Sequence, residues 1–448
     1  MTMETILITG ATLSDGARTD IVIEDGTITQ LGNGLKALGA RAIDADGLIA
    51  LPGLVDLHTH LREPGFEQSE TVLTGTRAAA AGGFTTVFAM ANTSPVADTA
   101  GVVEQVLTLG ESAGYATVRP IGAVTVGLEG RQLAELGAMA HSRAHVRVFS
   151  DDGMCVSDPL LMRRALEYVK AFGGVIAQHS QDPRLTEGAQ MNEGALSGQL
   201  GLTGWPAVAE ESIIARDVLL AEHVGGRLHV CHLSTAGAVD VIRWAKARGI
   251  AVTAEVTPHH LLLTEDLVAS YDARYKVNPP LRRSEDVHAL REALADGTID
   301  VVATDHAPHP IEAKDCEWDA AANGMVGLES ALSVVHAAVV ESGQLGWGDV
   351  ERVLSETPAR IGALTGYGAL AVGARADVTL YDPSVTRVFS AQELVGKAVN
   401  TPYLDRTLPG RVVATIHAGY PTVLDGQVRA TGEVAEHARA RQEGVARG

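Results

Sequence analysis

Two rhythms of apolar and polar positions divide the chain. At both ends, apolar and polar residues alternate over short runs broken by turn residues. Residues 5–9 and 20–24 read as strands, and Asp25-Gly26 between Glu24 and Thr27 is a hairpin turn. Residues 377–381 and 412–416 read the same way, and Asp425-Gly426 precedes a short third strand. Neither end alone has many strands, so the pattern predicts that both ends pack into one small β domain. From Gly432 onward the chain is polar and rich in Ala, Arg and Glu, which predicts a helix or a frayed tail.

The middle follows a different period. Short apolar runs at 53–60, 85–92, 118–125, 145–152, 174–179, 227–234, 250–260 and 300–306 alternate with helical stretches such as 71–81, 159–172, 208–223 and 236–248. Several of these helical stretches close on Gly, as helix C-caps do. Eight β-α repeats over about 250 residues or more is the arithmetic of a (β/α)8 TIM-like barrel. A doubly wound sheet is the rival, but no strand–Gly-x-Gly-x-x-Gly–helix unit is present. The predicted layout is α/β. Residues 1–51 form the N-terminal part of a small composite β-sandwich domain, 52–370 the barrel, and 371–448 the C-terminal part of the β domain plus a tail.

Polar residues sit where such a barrel puts its chemistry. His58 and His60, Asn92, Asp152, His179, His232, His259 and His260, and Asp305 stand at the C-terminal ends of the runs, which share one mouth in a barrel. Residues two apart on a strand face one side, so His58 and His60 point together, as two imidazoles on one metal must. Imidazoles with carboxylates suit Zn²⁺ best, with Mn, Co and Fe as alternatives.

Charge and cysteine usage narrow the partners. Lys and Arg total 35 against 55 Asp and Glu, a net charge of −20, which repels phosphate backbones. Aromatics are 4%, too few for a base-stacking platform. Nucleic acid is therefore excluded as a partner. No apolar run reaches the ~18 residues of a membrane span, and no basic-then-apolar leader is visible. Three cysteines, Cys155, Cys231 and Cys316, cannot form a disulfide framework, so a reducing cytoplasm is the expected setting.

The stretch GLVDLHTHLREPG at 53–65 resembles the amidohydrolase superfamily and, within it, the dihydroorotases of the bacterial type I class. Further pieces agree in order: AAAAGGFTTV at 78–87, Asn92-Thr93, FSDDG at 149–153, His179, HVCHLST at 229–235, TPHH at 257–260, KVNPPLR at 276–282 and ATDHAPH at 303–309. The resemblance covers nearly the whole chain. It implies a zinc-dependent, reversible cyclisation of N-carbamoyl-L-aspartate to L-dihydroorotate, with two Zn²⁺ per subunit. His58 and His60 match the ligands of one zinc, His179 and His232 those of the second, and Asp152 the bridge. Asp151 is the alternative bridge one residue away. Asp305 matches the residue that touches metal and acts as catalytic acid and base. His60, Arg62, Asn92, Asn278, His309, Asn323 and Gly324 match substrate-binding positions. Ala91 and Asn323 depart from the family, which favours Pro and an aromatic there. The partners implied are a small-molecule substrate, a homo-oligomer and an aspartate transcarbamoylase.

Two other functions remain open at this level. One is another cyclic amidase, an allantoinase or hydantoinase, against which Arg62 argues. The other is a non-catalytic scaffold for the transcarbamoylase, against which the complete ligand set argues. The polar stretch 311–319 after the last run is either a mobile lid or an ordinary surface loop. Arg216 is expected to pair with Glu210 or Glu211.

Overall fold

The computed structural model describes residues 4–445. Strands from the two chain ends do share one sheet, which has nine strands. Ile49–Pro52 is the join, pairing parallel to Ile6–Leu13 and antiparallel to Val378–Val388. The Asp25-Gly26 turn links Arg18–Glu24 to Thr27–Gly32, with Glu24 opposite Thr27. Both turn residues have positive φ, which the tight two-residue hairpin requires. The inner face of this sheet is apolar, with Ile6, Ile8, Ile21, Ile23, Ile28, Val378 and Ile416 fully buried. Thr431–Val445 is a helix, the first of the two outcomes the composition allowed.

Each of the eight central runs carries a strand, two of which start one residue ahead of their runs: β1 (Leu54–Thr59), β2 (Phe84–Ala89), β3 (Thr117–Pro120), β4 (Val148–Phe149), β5 (Val175–Gln178), β6 (Leu228–Val230), β7 (Val252–Val256) and β8 (Val301–Val302). They are shorter than the apolar runs that mark them. All pair in parallel, β1 to β3 in one sheet and β4 to β8 in another. Single parallel bridges cross both gaps between these sheets, Gly122 to Phe149 and Thr59 to His306. Helices connect the strands, among them Val72–Ala81, Pro159–Lys170, Val208–Val224 and Ala236–Ala247. Thr71, Asp158 and Thr235 cap three of these through side-chain oxygens, which satisfies otherwise orphaned N–H groups. One apolar layer, with Val55, Leu57, Phe88, Ile121, Val148, Val175 and Val301, packs between the strands. No helix among the described residues is long and apolar enough to cross a membrane.

Candidate metal centre

Past the ends of these strands the interior turns from apolar to ionisable. His58 and His60 close β1, and both rings reach the Asp152 carboxylate. His58 Nε2 lies 3.3 Å from Oδ1 and His60 Nε2 3.3 Å from Oδ2. His179 Nδ1 and His232 Nε2 each stand 3.4 Å from Asp152 Oδ1 and 2.8 Å from one another. Asp305 Oδ1 is 3.0 Å from His60 Nε2 and 3.4 Å from His58 Nε2. All six side chains are buried. The ligand atoms fall into overlapping triads, each within 4.8 Å: His58-His60-Asp152, Asp152-His179-His232 and His58-His232-Asp305.

The cluster is electrostatically incomplete. Burial opposes ionisation of Asp152, but His58, His179 and His232 hold its carboxyl far below the usual range. Burial likewise opposes Asp305, yet His58 and His60 hold its carboxyl down at about 2. Burial works against a charged His58, but Asp152, Asp305 and Glu255 drive its affinity for a proton well above normal. Ionised carboxylates crowded around imidazoles demand positive charge. His58 Nε2 and Asp152 Oδ1 are buried without a hydrogen-bond partner, a costly state for both atoms. A divalent cation would answer both the charge and the orphaned lone pairs, so the donor set fits a metal centre.

Outer partners fix which nitrogen each ring presents. His58 Nδ1 donates to Glu255 Oε1 at 2.7 Å, and His229 Nε2 donates to Glu255 Oε2 at 3.0 Å. Burial opposes a charged Glu255, but these two rings hold its carboxyl well below the usual range. His60 Nδ1 donates to Asn92 Oδ1 at 2.9 Å, and His179 Nε2 donates to Gln181 Oε1 at 2.7 Å. For His58, His60 and His179 the contact turns the other nitrogen toward the cluster, as second partners of metal ligands do, while His229 Nδ1 bonds Thr253 instead. Asp56 accepts from the His58 and Thr304 backbone N–H groups and from the Thr304 hydroxyl, tying the end of β1 to the Asp305 turn.

The two adjacent aspartates separate cleanly. Asp151 points away from the cluster and accepts from the Val124 and Thr125 backbone N–H groups and the Thr125 hydroxyl. Asp152 is the one among the histidines.

The residues matched to substrate binding line the rim. Arg62, held at positive φ, donates from Nε to Pro308 O at 3.2 Å. Burial brings its pKa down to about 10, still a cation at neutral pH. His309 Nε2 donates to Asn323 O at 2.7 Å, and burial with nearby Arg62 pushes its pKa down to about 3. Asn323 takes part through its carbonyl, and its side chain is exposed. Gly324 has φ 125°, and a Cβ there would fall 2.6 Å from Ala307 Cβ, so only glycine fits. Asn278 Nδ2 donates to Gln181 Oε1 at 3.0 Å, while Asn278 Oδ1 is buried without a partner.

Several expectations for other residues resolve here. His260 is a packing residue, bonded to Thr257 and to the Pro279 and Pro280 carbonyls. His259 Nε2 is buried without a partner. Arg216 does not pair with Glu210 or Glu211. It binds Asp217 and the Val156 and Ser157 carbonyls, while Glu210 binds Ser234 and lies beside Arg282. Burial raises the Cys155 thiol to about 12, so it is no ready nucleophile. The stretch 311–319 is anchored at both ends of its turn. Lys314 Nζ donates to the carbonyls of Ala273, Lys276 and Ala322, and Trp318 Nε1 donates to Gln190 O.

Glu255, Gln181, Asp56 and Asn400 are functional neighbours that the sequence pattern did not mark. Asn400 accepts from the His309 N–H and donates to the Ala307 and Gly324 carbonyls. Asp56 and Glu255 left a trace, each as an ionisable residue inside a largely apolar strand.

The family described as "Dihydro-orotase-like" matches residues 47–238. A dihydroorotase from Leifsonia xyli is 79% identical over 429 residues, spanning 96% of this chain and 98% of that protein. One from Streptomyces coelicolor is 64% identical, spanning 95% and 100%. One from Mycobacterium tuberculosis is 53% identical, spanning 93% and 97%. Among solved structures, the L-hydantoinase (dihydropyrimidinase) of Arthrobacter aurescens superposes with a TM-score of 0.85 at 25% identity, covering 96% of this chain and 98% of that one.

Proposed function

The chain belongs to the dihydroorotase family and is a cyclic amide hydrolase that interconverts N-carbamoyl-L-aspartate and L-dihydroorotate in pyrimidine biosynthesis; we propose that it does so at the centre around Asp152, with two zinc ions. His58 and His60 would hold one ion, His179 and His232 the other, with Asp152 between them and Asp305 at the edge of the first. The observation that carries this reading is the orphaned pair, His58 Nε2 and Asp152 Oδ1, inside a ring of ionised carboxylates. The eight parallel strands are read as a closed (β/α)8 barrel over residues 52–370. Residues 1–51 and 371–448 then compose the small β domain.

When bound, such a metal pair supplies Lewis acidity toward the ring carbonyl and toward water. The protein's own groups do the rest. Asp305 is ionised at neutral pH and accepts the proton of the attacking water on a carboxylate oxygen. It then delivers that proton to the departing ring nitrogen, and ring closure runs the same transfer backwards. Arg62 offers a planar fork to the substrate carboxylate. Asn92 Nδ2 is free to bind substrate because Asn92 Oδ1 serves His60. Neutral His309 and Asn278 Oδ1 add an acceptor on each side of the ring.

The test compares L-dihydroorotate with hydantoin and allantoin as substrates, for the wild type and Arg62→Met, with zinc counted in each sample. Dihydroorotate should be the preferred substrate, with two zinc ions per chain. Losing a charged hydrogen-bonded partner from a desolvated site costs ~2–5 kcal/mol, so KM for dihydroorotate should rise by roughly 30-fold or more. An unchanged KM, or faster turnover of hydantoin, would overturn the assignment of Arg62 and of the substrate.

A further inference from the structure

One cleft on this acidic chain is basic. It opens where the start of β3, the helix Ala100–Ala113, the strand Thr407–His417 and the terminal helix Thr431–Val445 meet, and it encloses about 490 Å³. It lies at the N-terminal end of β3, whereas the metal-type cluster stands past the C-terminal ends of the strands. One wall is apolar, formed by Leu107, Ala116 and Val118. Arg119 on β3, Arg375, and Arg441 on the terminal helix also line it, with the Glu111–Arg143 pair.

The carboxylates nearby are already engaged. Asp377 accepts from Arg375 Nε at 2.7 Å and from the Ala418 N–H at 2.7 Å. Glu111 pairs with Arg143 at 2.9 Å. Among the described residues, the charged neighbours of Arg119 are Arg147 and Arg375, with no carboxylate of its own, while Asp377 serves Arg375 and also faces Arg441. Arg375 is also held rigidly. Its Nη2 donates to Thr117 Oγ1 at 3.0 Å and to His417 Nε2 at 2.7 Å, and its guanidinium lies 4.8 Å above the Tyr367 ring. His417 Nδ1 donates to Gly114 O, which leaves Nε2 as the acceptor that Arg375 needs. Like charges gathered in a half-buried cleft repel one another, and an anion placed among them removes that cost. Guanidinium forks match phosphate oxygens in pairs. The volume falls in the ~300–1,000 Å³ range of small-molecule sites, far more than a bare phosphate fills.

We propose that this cleft binds a small phosphomonoester with a flat apolar body, its phosphate among Arg119, Arg375 and Arg441 and its ring against Leu107, Ala116 and Val118. The site is separate from the substrate centre and has its own ligand.

Calorimetric titration of the metal-loaded enzyme tests this, in buffer holding equilibrated dihydroorotate and N-carbamoyl-aspartate so that the substrate centre stays filled. The probes are adenosine and uridine 5′-monophosphates, the two nucleosides, and inorganic phosphate. The monophosphates should bind saturably. The nucleosides should not bind, and phosphate should bind at least about tenfold more weakly. Arg119→Gln and Arg441→Ser should each weaken the monophosphates at least about tenfold, while Arg439→Ser on the same terminal helix should not. Arg441 lies on the outer helix, so its variant keeps the test open if Arg119→Gln fails to fold. No saturable binding by either monophosphate would overturn the proposal. So would nucleosides or phosphate binding as tightly, or affinity unchanged in Arg441→Ser.

Discussion

Along the sheet built from the chain ends, the inner face is Ile6, Ile8, Ile21, Ile23, Ile28, Val378, Leu380 and Ile416, all of it buried hydrocarbon. Along the parallel strands the interior begins the same way, with Val55, Leu57, Phe88, Val148 and Val301. It then changes within a few residues to His58, His60, Asp152, His179, His232 and Asp305. Both regions exclude water. In the first, burial is itself the stabilising term. In the second, burial of ionisable groups is unfavourable until a cation and oriented partners offset it. The comparison teaches where each kind of substitution should act. Changes at the strand ends should alter chemistry and leave the fold, and changes in the end-built sheet should do the reverse.

The strongest way to break that contrast is Asp305→Asn. Asparagine keeps the shape and an oxygen for a metal but cannot carry a proton. General acid–base help is worth ~10²–10⁴-fold, so kcat should fall by at least that much for both hydrolysis and cyclisation. The urea midpoint and the zinc content should stay close to wild type. A kcat within tenfold of wild type with metal still bound would remove Asp305 as the proton carrier and turn attention to His309.

The converse substitution is Ile416→Ala. Ile416 is fully buried in the end-built sheet, far in sequence from any ligand of the centre. Truncating a core isoleucine costs ~2–5 kcal/mol through lost transfer energy and the cavity left behind. Chemical denaturation should register that loss, while kcat on the still-folded fraction stays unchanged. A large drop in kcat at full folding would mean that the two regions are mechanically coupled.

The same contrast explains what could be read from the chain. All eight strands fall on the apolar runs, to within one residue at their starts, because a buried parallel strand is a continuous apolar segment. His58 and His60 were legible because they are two apart on a strand end. Spacing to His179 favours Asp152 over Asp151 but leaves a one-residue ambiguity, since adjacent carboxylates differ only in which way the strand end turns them. Glu255 was hidden because its meaning comes from His58, 197 residues away, and from His229 on the neighbouring strand. Arg216 binds the adjacent Asp217 rather than Glu210 or Glu211 a turn or more away, so helical spacing pointed to the wrong carboxylate. Its partners include backbone carbonyls at 156 and 157, on a different element. The apolar sheet needed only pattern, whereas the polar centre needed tertiary distances that no local period carries.

Lys314 offers the finest probe of polar burial near the mouth. It sits in the polar stretch expected to be a lid or a loop, yet its ammonium is buried against three carbonyls. Burial, and then Lys276 beside it, bring its pKa down from 10.5 to about 7. Between those values the unfolded chain binds more protons than the folded one. Stability contributed by this group should therefore rise with pH from about 7 toward 10.5 and lie flat below about 7. The slope is at most about 1.4 kcal/mol per pH unit. Lys276 is shifted the same way by its own burial, a contribution common to both proteins. Urea unfolding at pH 7, 8 and 9, with metal load held constant, should show wild type gaining on Lys314→Met as the pH climbs. Parallel stability curves for the two proteins would mean that the ammonium is fully satisfied by its carbonyls and that this part of the mouth carries no cost.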